Sequence, residues 1–249
     1  MNYLSLFSGA CGGDLAFQHL LTGFKCVGYV EIDDYCQRVI RQRQKDGLLD
    51  EAPIYGDIRT FISEGYAERY RGMVDLITGG DPCQSNSSAW THGKRSEHLA
   101  SEFIKTIRII RPTFIIRENP AGVRCDAPSP DWKFKEWVES LGYTATLTEI
   151  RACCMGADHK RARVFVCAEL TDTHGKRLEG WDSQKTEKDG ENSNPSIQTL
   201  VQNYTWPDVS DPYAYGSNDG LACRVDRTRA IGNGQGPQVA ATAWEILKP

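Results

Sequence analysis

Short runs of apolar residues alternate along the chain with segments in which apolar residues recur at helical spacing. Runs bounded by glycine, proline and small polar residues predict buried strands, and the segments between them predict helices. The aromatic face of residues 132–141 is more typical of core packing than of a platform on which bases stack. The alternation is typical of an α/β fold with a mostly parallel sheet flanked by helices. The predicted strands are residues 2–7, 26–30, 54–55, 73–78, 113–116, 144–150 and 164–168, and the predicted helices are residues 14–21, 35–44, 99–110, 132–141 and 239–247.

The hydrophobic pattern is lost between residues 169 and 222. Residues 171–195 are polar and contain glycine without a clear period, which is typical of a loop or a poorly ordered segment. A helical pattern returns near the C-terminal end. We therefore predict one main domain made of residues 1–168 and 223–249, with residues 169–222 as a small separate region.

Composition places the chain among folded proteins with one large domain. Its 249 residues are 40% hydrophobic, which is enough for a core, and no apolar run is long enough to span a bilayer. The first residues lack the basic and apolar segments of a signal peptide. The nine cysteines follow neither a disulfide framework nor a zinc-site spacing. We therefore expect reduced thiols, no metal and a cytoplasmic location.

Charge is unevenly distributed along a chain whose net charge is -4. Residues 94–163 carry 13 basic and 9 acidic residues, whereas residues 169–222 carry 4 basic and 10 acidic residues. A basic middle would suit a polyanion bound on one face. Ordinary surface charge also explains an excess of this size, so charge alone does not identify a partner.

Cys83 follows an apolar run directly, in a loop that contains two glycines, a proline and several small polar residues. A cysteine is the best soft nucleophile among the side chains, and a loop at a strand end is where a fold displays such a group. Most cysteines are instead buried and behave as small apolar residues. Cys83 is therefore a candidate nucleophile that needs support from the rest of the chain.

Glycines and acids follow the first strands in a pattern typical of a nucleoside site. Gly9, Gly12 and Gly13 separate the first strand from a helix, and such turns let the backbone approach a ligand. Glu31 ends the second strand, where a carboxylate can accept from both ribose hydroxyls. Asp57 follows the third strand and could accept from an adenine amine. Either acid could instead cap a helix, and no Walker-type motif suggests a triphosphate.

One glutamate and two arginines lie next to the later strands. Glu118 is expected at the same sheet edge as Cys83, because the carboxyl ends of parallel strands share one edge. Arg161 and Arg163 precede an apolar run, and their spacing predicts that both lie on one face of a strand. An exposed pair at the sheet edge is the alternative.

Taken in order, these motifs resemble those of the DNA cytosine-5 methyltransferases. The resemblance extends over residues 1–168 and 223–249. No motif is specific alone, but all occur in the family's order at family-like spacing. They are Leu6-Phe7-Ser8-Gly9 with Gly12-Gly13, Pro82-Cys83-Gln84, Glu118-Asn119-Pro120, Arg161-Ala162-Arg163 and Gly232-Asn233.

The resemblance implies a Rossmann-like class I methyltransferase fold. Residues 169–222 would form a small irregular target-recognition region, and the C-terminal helix would return to the core. The implied reaction transfers a methyl group from S-adenosylmethionine, leaving S-adenosylhomocysteine, to C5 of a flipped-out cytosine in double-stranded DNA. We expect a monomer without a metal or a membrane partner, in a bacterial or phage-infected cell and associated with restriction-modification.

The resemblance also assigns roles to residues. Cys83 would attack C6 of the base, Glu118 would contact N3 and the amino group, and Arg163, beside Arg161, would contact the base carbonyl and steady Glu118. Phe7 would stack on the adenine of the cofactor. The other implied cofactor residues are Ser8, Gly9, Gly12, Gly13, Glu31, Ile32, Asp57, Ile58, Gly80, Pro82 and Asn233, and the implied DNA contacts are Gln84, Ser85, Lys94, Arg95, Arg227 and Arg229.

Several positions depart from the family's pattern while Cys83 and Glu118 are retained. Ser5 stands where an acid usually precedes Leu-Phe, and Asp81 stands where an apolar residue or proline usually precedes Pro-Cys-Gln. A usual aromatic is absent after that motif, His159 stands for a glutamine, and Gly234-Gln235 stands for Ser-Val. The short, acidic recognition region favours a short DNA target.

Three alternatives remain open. An RNA cytosine methyltransferase could use the same scaffold and core motifs. A catalytically inactive relative could only bind nucleic acid or a partner enzyme, although Cys83, Glu118 and Arg163 argue against this. A nicotinamide-dependent dehydrogenase could use the glycine turn and Glu31, but it would leave Pro82-Cys83-Gln84 unexplained. A modified form of S-adenosylmethionine as the donor also stays open.

Overall fold

The computed structural model of the chain describes residues 1–82, 99–121, 129–157, 161–171 and 235–247. Within these residues a sheet of seven strands has the order β3-β2-β1-β4-β5-β7-β6. The strands are β1 (Asn2–Leu6), β2 (Lys25–Val30), β3 (Ile54–Tyr55), β4 (Leu76–Gly79), β5 (Phe114–Pro120), β6 (Tyr143–Arg151) and β7 (Ala162–Leu170).

Helices connect these strands and cover both faces of the sheet. Helix α1 is short and continues into a π-helical turn at Ala16–Leu20, and 3-10 turns occur at Ala67–Tyr70 and Ala152–Met155. The helices are α1 (Gly12–Leu15), α2 (Asp34–Lys45), α3 (Ile58–Ser63), α4 (Ala100–Ile110), α5 (Pro130–Ser140) and α6 (Pro237–Leu247).

Strands β1 to β5 pair in parallel, and β7 pairs antiparallel with both β5 and β6. The α/β class and the mostly parallel sheet are therefore confirmed. Strands β1 and β4 are neighbours at the centre of the sheet, and the strand order changes direction between them. In open α/β sheets, ligands bind in the crevice beside the carboxyl ends of two such strands.

Two apolar clusters pack on the sheet. One includes Leu4 and Ile77 of the sheet with Phe103 of α4 and Phe134 of α5, all buried. The other includes Tyr3 and Phe114 of the sheet with Trp244 of α6. Helix α6 packs against α1, the π-helical turn and β7, so the last helix returns to the first part of the chain as expected.

Several elements differ from the predictions. Strand β5 continues beyond residue 116 to Pro120, because its second half pairs with β7. Strand β4 begins at Leu76, and Met73 is 54% exposed. The prediction that the aromatic face of α5 packs in the core is confirmed for Phe134, which is fully buried, and is wrong for Trp132 and Trp137, which are both exposed.

The proposed target-recognition region lies almost entirely outside the described residues, so the domain division stays a prediction. Among the helices that the structure describes, none combines the length and hydropathy needed to cross a membrane.

Candidate functional site

A cavity opens where β1, β4 and β5 end, and many of the predicted cofactor residues line it. It lies over the glycine turn that follows β1 and is also bordered by the first residues after β4. The lining residues are Ser5, Leu6, Phe7, Ser8, Gly9, Gly13, Asp14, Thr78, Gly79, Gly80, Glu118 and Gln235.

The turn after β1 is held tightly by the segment that precedes α6. Gly12 faces the backbone carbonyl of Gln235, and Gly13 faces its side-chain oxygen, so a Cβ at either glycine would collide with Gln235. Phe7 has a positive φ of 52° and stacks on Phe103, with ring centroids 6.0 Å apart. The contact of Gln235 with the glycine turn was not predicted, although Gln235 closely follows the Gly232-Asn233 motif in the sequence.

Glu31 connects the end of β2 to the glycine turn. Its Oε2 accepts a hydrogen bond from the Gly9 N–H at 2.6 Å, and its Oε1 accepts one from the Asp33 N–H at 2.8 Å. Burial raises the pKa of Glu31, while these backbone hydrogen bonds oppose the rise. Each carboxylate oxygen retains a second lone pair, so Glu31 is able to accept from a diol at the cavity edge.

The predicted residues at the end of β3 are not part of the cavity wall. Asp57 caps α3 by accepting a hydrogen bond from the Arg59 N–H at 2.8 Å, which was the alternative reading of this acid. Ile58 is buried in the core, whereas Ile32 after β2 is 67% exposed. An exposed apolar side chain beside Glu31 offers a surface on which a flat aromatic ligand could rest.

Ser5 and Asp14 form a buried pair below the glycine turn. The Ser5 hydroxyl donates a hydrogen bond to Asp14 Oδ2 at 3.1 Å, and Asp14 is 3% exposed. Burial raises the pKa of Asp14 to about 6, against the opposing effect of the bond from Ser5. The carboxyl group that the sequence pattern lacks at residue 5 is therefore present, but it comes from residue 14.

Glu118 is the buried acid of the site. It is 5% exposed and forms an ion pair with Arg163, whose Nε lies 2.6 Å from Glu118 Oε1. This is a charge contact rather than a well-aligned hydrogen bond, because the same oxygen has no partner of hydrogen-bond geometry. A Cβ on Gly80 would lie 3.0 Å from Glu118 Oε2, so the glycine leaves room for the carboxyl group.

Burial and the neighbouring arginine charges shift the pKa of Glu118 in opposite directions. Burial raises the pKa of Glu118 to about 7, although the guanidinium groups of Arg163, Arg161 and Arg117 lower it. Arg161 precedes β7 and has a φ of 27°, so the predicted strand alternation of the two arginines is wrong. Both nevertheless lie close enough to Glu118 to affect its titration. At neutral pH this carboxyl group is poised between its two protonation states.

Other predicted site residues lie outside the described part of the chain. They are Cys83, Gln84, Ser85, Lys94, Arg95, Arg227, Arg229 and Asn233. Pro82, the last described residue before Cys83, is half-buried and lies three residues beyond the end of β4.

Comparison with known proteins agrees with this geometry. The family model for C-5 cytosine-specific DNA methylase matches residues 1–226. The chain belongs to this family. The nicotinamide-dependent dehydrogenase considered above is therefore excluded, and the sequence resemblance is confirmed.

The relatives of this chain include bacterial Type II methyltransferases. M.FnuDI of Fusobacterium nucleatum is 32% identical over 66% of this chain and 46% of its own length. M.NgoPII of Neisseria gonorrhoeae is 28% identical over 92% of this chain and 69% of its own length. M1.HphI of Haemophilus parahaemolyticus is 27% identical over 66% of this chain, and the match spans 44% of its own length. The chain thus spans about half the length of some relatives.

Solved structures share the fold of this chain. A putative DNA modification methyltransferase from an Escherichia coli prophage has a TM-score of 0.50 at 22% identity, covering 68% of this chain and 47% of that chain. A Spodoptera frugiperda DNMT2 mutant has a TM-score of 0.53 at 16% identity, covering 72% and 53%. Likeness at these identities supports the fold alone. In the described residues, no cluster of acidic, histidine and cysteine side chains is arranged to hold a metal ion.

The structure contains a buried ion network beside Glu118. Arg117 of β5 binds Asp81 through two contacts, Nε–Oδ1 at 2.5 Å and Nη2–Oδ2 at 3.1 Å. Its third nitrogen, Nη1, lies 2.7 Å from Oδ1 of Asp131 in the first turn of α5. Asn119 also donates to Asp131, at 3.1 Å, and the Arg117 guanidinium lies 4.3 Å from the Phe134 ring centre. Asp81, a departure from the family's pattern, is thus one partner of a buried arginine.

We expect Arg117→Met to lower the free energy of unfolding of this protein by about 3–5 kcal/mol, because it leaves two buried carboxylates without their cation. Arg117 is 2% exposed and both partners are buried. Urea unfolding followed by fluorescence measures the change.

Arg151→Met is the matched control, since Arg151 pairs with Glu149 at 2.8 Å on the surface. This variant should change stability little. Equal losses for the two variants would contradict the uncompensated burial of the two carboxylates as the cause of the loss in Arg117→Met.

Proposed function

We propose that this chain transfers a methyl group from S-adenosylmethionine to C5 of cytosine in double-stranded DNA. The observation that carries the proposal is the placement of Glu118. A buried glutamate with a pKa of about 7 borders the cavity, in contact with Arg163. A carboxyl group that holds a proton near neutral pH is what the activation of a cytosine ring requires, because charge develops on the ring during nucleophilic attack.

Glu118 would donate its proton to cytosine N3 and accept from the exocyclic amino group. Arg163 would donate to the base carbonyl, and its ion pair would hold the Glu118 carboxyl group in place. Arg161 contributes positive potential nearby. Burial is the largest influence on the pKa of Glu118, so exclusion of water keeps this acid protonated at a pH where an exposed glutamate would be ionised.

The cavity wall would hold the methyl donor. The glycine turn brings the backbone near the cavity, Phe7 supplies an aromatic surface, and Glu31 would accept from ribose hydroxyls. Ile32 would border the adenine beyond the cavity wall, with Asp57 and Ile58 after β3 proposed at its far edge. Ser8, Gly12, Gly80, Pro82 and Asn233 would complete the proposed donor site. When bound, S-adenosylmethionine supplies a methyl group on a sulfonium, which is electrophilic enough to react with an activated C5.

Cys83 would supply the nucleophile. Its thiolate forms a bond from Sγ to C6, the ring electrons move toward C5, and N3 takes the proton of Glu118. C5 would then take the methyl group as the S–CH3 bond of the donor sulfonium breaks, which leaves a neutral thioether. C5 would lose its proton to a base, N3 would return its proton to Glu118, and the Sγ–C6 bond would break to release the thiolate. These steps need access to both faces of the ring, so the base must leave the stack. We propose Gln84, Ser85, Lys94, Arg95, Arg227 and Arg229 as contacts to the DNA.

Two assays test the function together. Bisulfite sequencing of a plasmid from cells that express the protein should reveal protected cytosines within a short shared sequence. Transfer of radiolabelled methyl groups from S-adenosylmethionine should then be faster into duplex DNA with that sequence than into transfer RNA.

Each alternative gives a different outcome. Preferential labelling of transfer RNA would favour the RNA methyltransferase. No labelling of either nucleic acid, together with binding of S-adenosylhomocysteine, would favour an inactive relative. A monomer, as the sequence predicts, would elute at its calculated mass of 27.8 kDa in size-exclusion chromatography with light scattering.

A further inference from the structure

The network of Arg117, Asp81 and Asp131 joins the ends of three elements beside the candidate site. Asp81 lies just after β4, Arg117 lies in β5, and Asp131 begins α5. A buried ion pair is a poor source of stability compared with apolar side chains that fill the same space. A bidentate arginine–carboxylate pair, in contrast, sets both distance and orientation. The network is therefore better suited to fixing geometry than to strengthening the fold.

Asp81 is attached to the proposed nucleophile by a short and stiff piece of backbone. Asp81 is held by two contacts to Arg117, and Pro82 follows it. The ring of Pro82 restricts its own φ to about −65°, and it also restricts the ψ of the residue before it. Few free torsions therefore separate the held Asp81 from the Cα of residue 83.

Arg117 is attached equally closely to the proposed acid. It pairs in register with Gly79 of β4, and the next residue of β5 is Glu118. Successive side chains in a strand point to opposite faces. Arg117 accordingly packs against Phe134 on one face, while Glu118 meets Arg163 and Gly80 on the other.

We propose that the Asp81–Arg117 pair is a positioning device that fixes the backbone at Asp81 and Pro82, from which the chain continues to Cys83, relative to the Glu118 carboxyl group. This inference rests on the proposed function for what the two groups do. It gives a physical role to Asp81, which replaces the apolar residue or proline of the family's pattern. Asp81 and Arg117 are positioning residues, since neither lines the cavity.

The chain offers a matched pair of variants for the test. Asp81→Asn and Asp131→Asn each remove one buried carboxylate from Arg117, but only Asp81 adjoins Pro82. The two variants should lose similar stability in urea unfolding and should bind S-adenosylhomocysteine like the wild type.

Covalent capture of duplex DNA that contains 5-fluorocytosine then separates the two variants. We expect Asp81→Asn to capture on the order of 10²-fold more slowly, as for a reacting group displaced by about 1 Å. Asp131→Asn should stay within a few-fold of the wild type. Arg117→Lys keeps the positive charge but loses the two-point contact of the guanidinium with Asp81, so it should resemble Asp81→Asn.

A second measurement does not depend on catalysis. Alkylation of Cys83 by iodoacetamide, followed by mass spectrometry of its peptide, should change several-fold in Asp81→Asn and stay unchanged in Asp131→Asn. Equal effects of the two variants in both assays, or no effect of Asp81→Asn, would overturn the inference. If the wild type captured no cytosine but alkylation still separated the variants, the proposed function would fail while the positioning role stood.

Discussion

Cys83→Ser is expected to abolish covalent capture of 5-fluorocytosine in duplex DNA. The thiolate adds to C6 and C5 accepts the methyl group, but the fluorine at C5 cannot leave as a proton, so the Sγ–C6 bond persists in the wild type. A serine hydroxyl is far less ionised at neutral pH and a poorer nucleophile toward a soft carbon centre. A denaturing gel of enzyme mixed with fluorinated DNA and S-adenosylmethionine measures the adduct.

Cys153→Ser provides the control for this experiment. Cys153 is an exposed free cysteine after β6, in a 3-10 turn away from the cavity wall. Its replacement should leave the adduct unchanged. Equal adduct formation by Cys83→Ser and the wild type would remove Cys83 from the role of nucleophile, whatever the overall activity.

Glu118→Gln is expected to lower turnover by about 10²–10⁴-fold, the usual contribution of a positioned general acid. Glutamine keeps the size of the side chain and can still form hydrogen bonds, but its amide cannot give up a proton to N3. Binding of S-adenosylhomocysteine should persist, because Glu118 only borders the cavity that we assign to the donor. Single-turnover methyl transfer together with equilibrium binding separates the two effects.

The pH profile gives a sharper form of this prediction. Burial raises the pKa of Glu118 to about 7, so the proton is present below that pH and is lost above it. The acid contribution to kcat/KM should therefore fall as pH rises through about 7, and this alkaline limb should be absent in Glu118→Gln. Glu149→Gln, on the exposed side of β6, should retain the wild-type profile. If Glu118→Gln kept the same alkaline limb as the wild type, the limb would belong to another titrating group.

The central sheet was predictable because its strands are short apolar runs, and apolar periodicity reports burial directly. The second half of β5 could not be predicted from the sequence. Residues Arg117 to Asn119 are polar and suggest a loop, yet all three are buried within the strand. Their partners lie far along the chain or on other elements, so no local pattern could indicate that these side chains are neutralised.

In the candidate site, too, features encoded by local motifs were predicted and features that depend on distant contacts were not. The glycine turn, Glu31 and Glu118 were found because their motifs are continuous in sequence. Asp14, which places a carboxyl group beside Ser5, was missed because the pairing depends on how α1 lies over β1. The exposed Trp132 and Trp137 were expected in the core because a single sequence indicates which helix face is aromatic, but not whether another element covers it.

Helix α6 has a consequence for the order in which the protein is assembled. Its Trp244 packs edge-on against Phe24 and Phe114, and its neighbours include α1 and the π-helical turn, all encoded far upstream. During synthesis on the ribosome, these surfaces emerge long before residues 237–247 do. Because such long-range contacts form late and carry a large loop-closure cost, the nascent chain exposes an apolar face for much of its translation. Donor binding, which needs the wall that Gln235 completes, is therefore expected only after residues 235–247 have emerged from the ribosome.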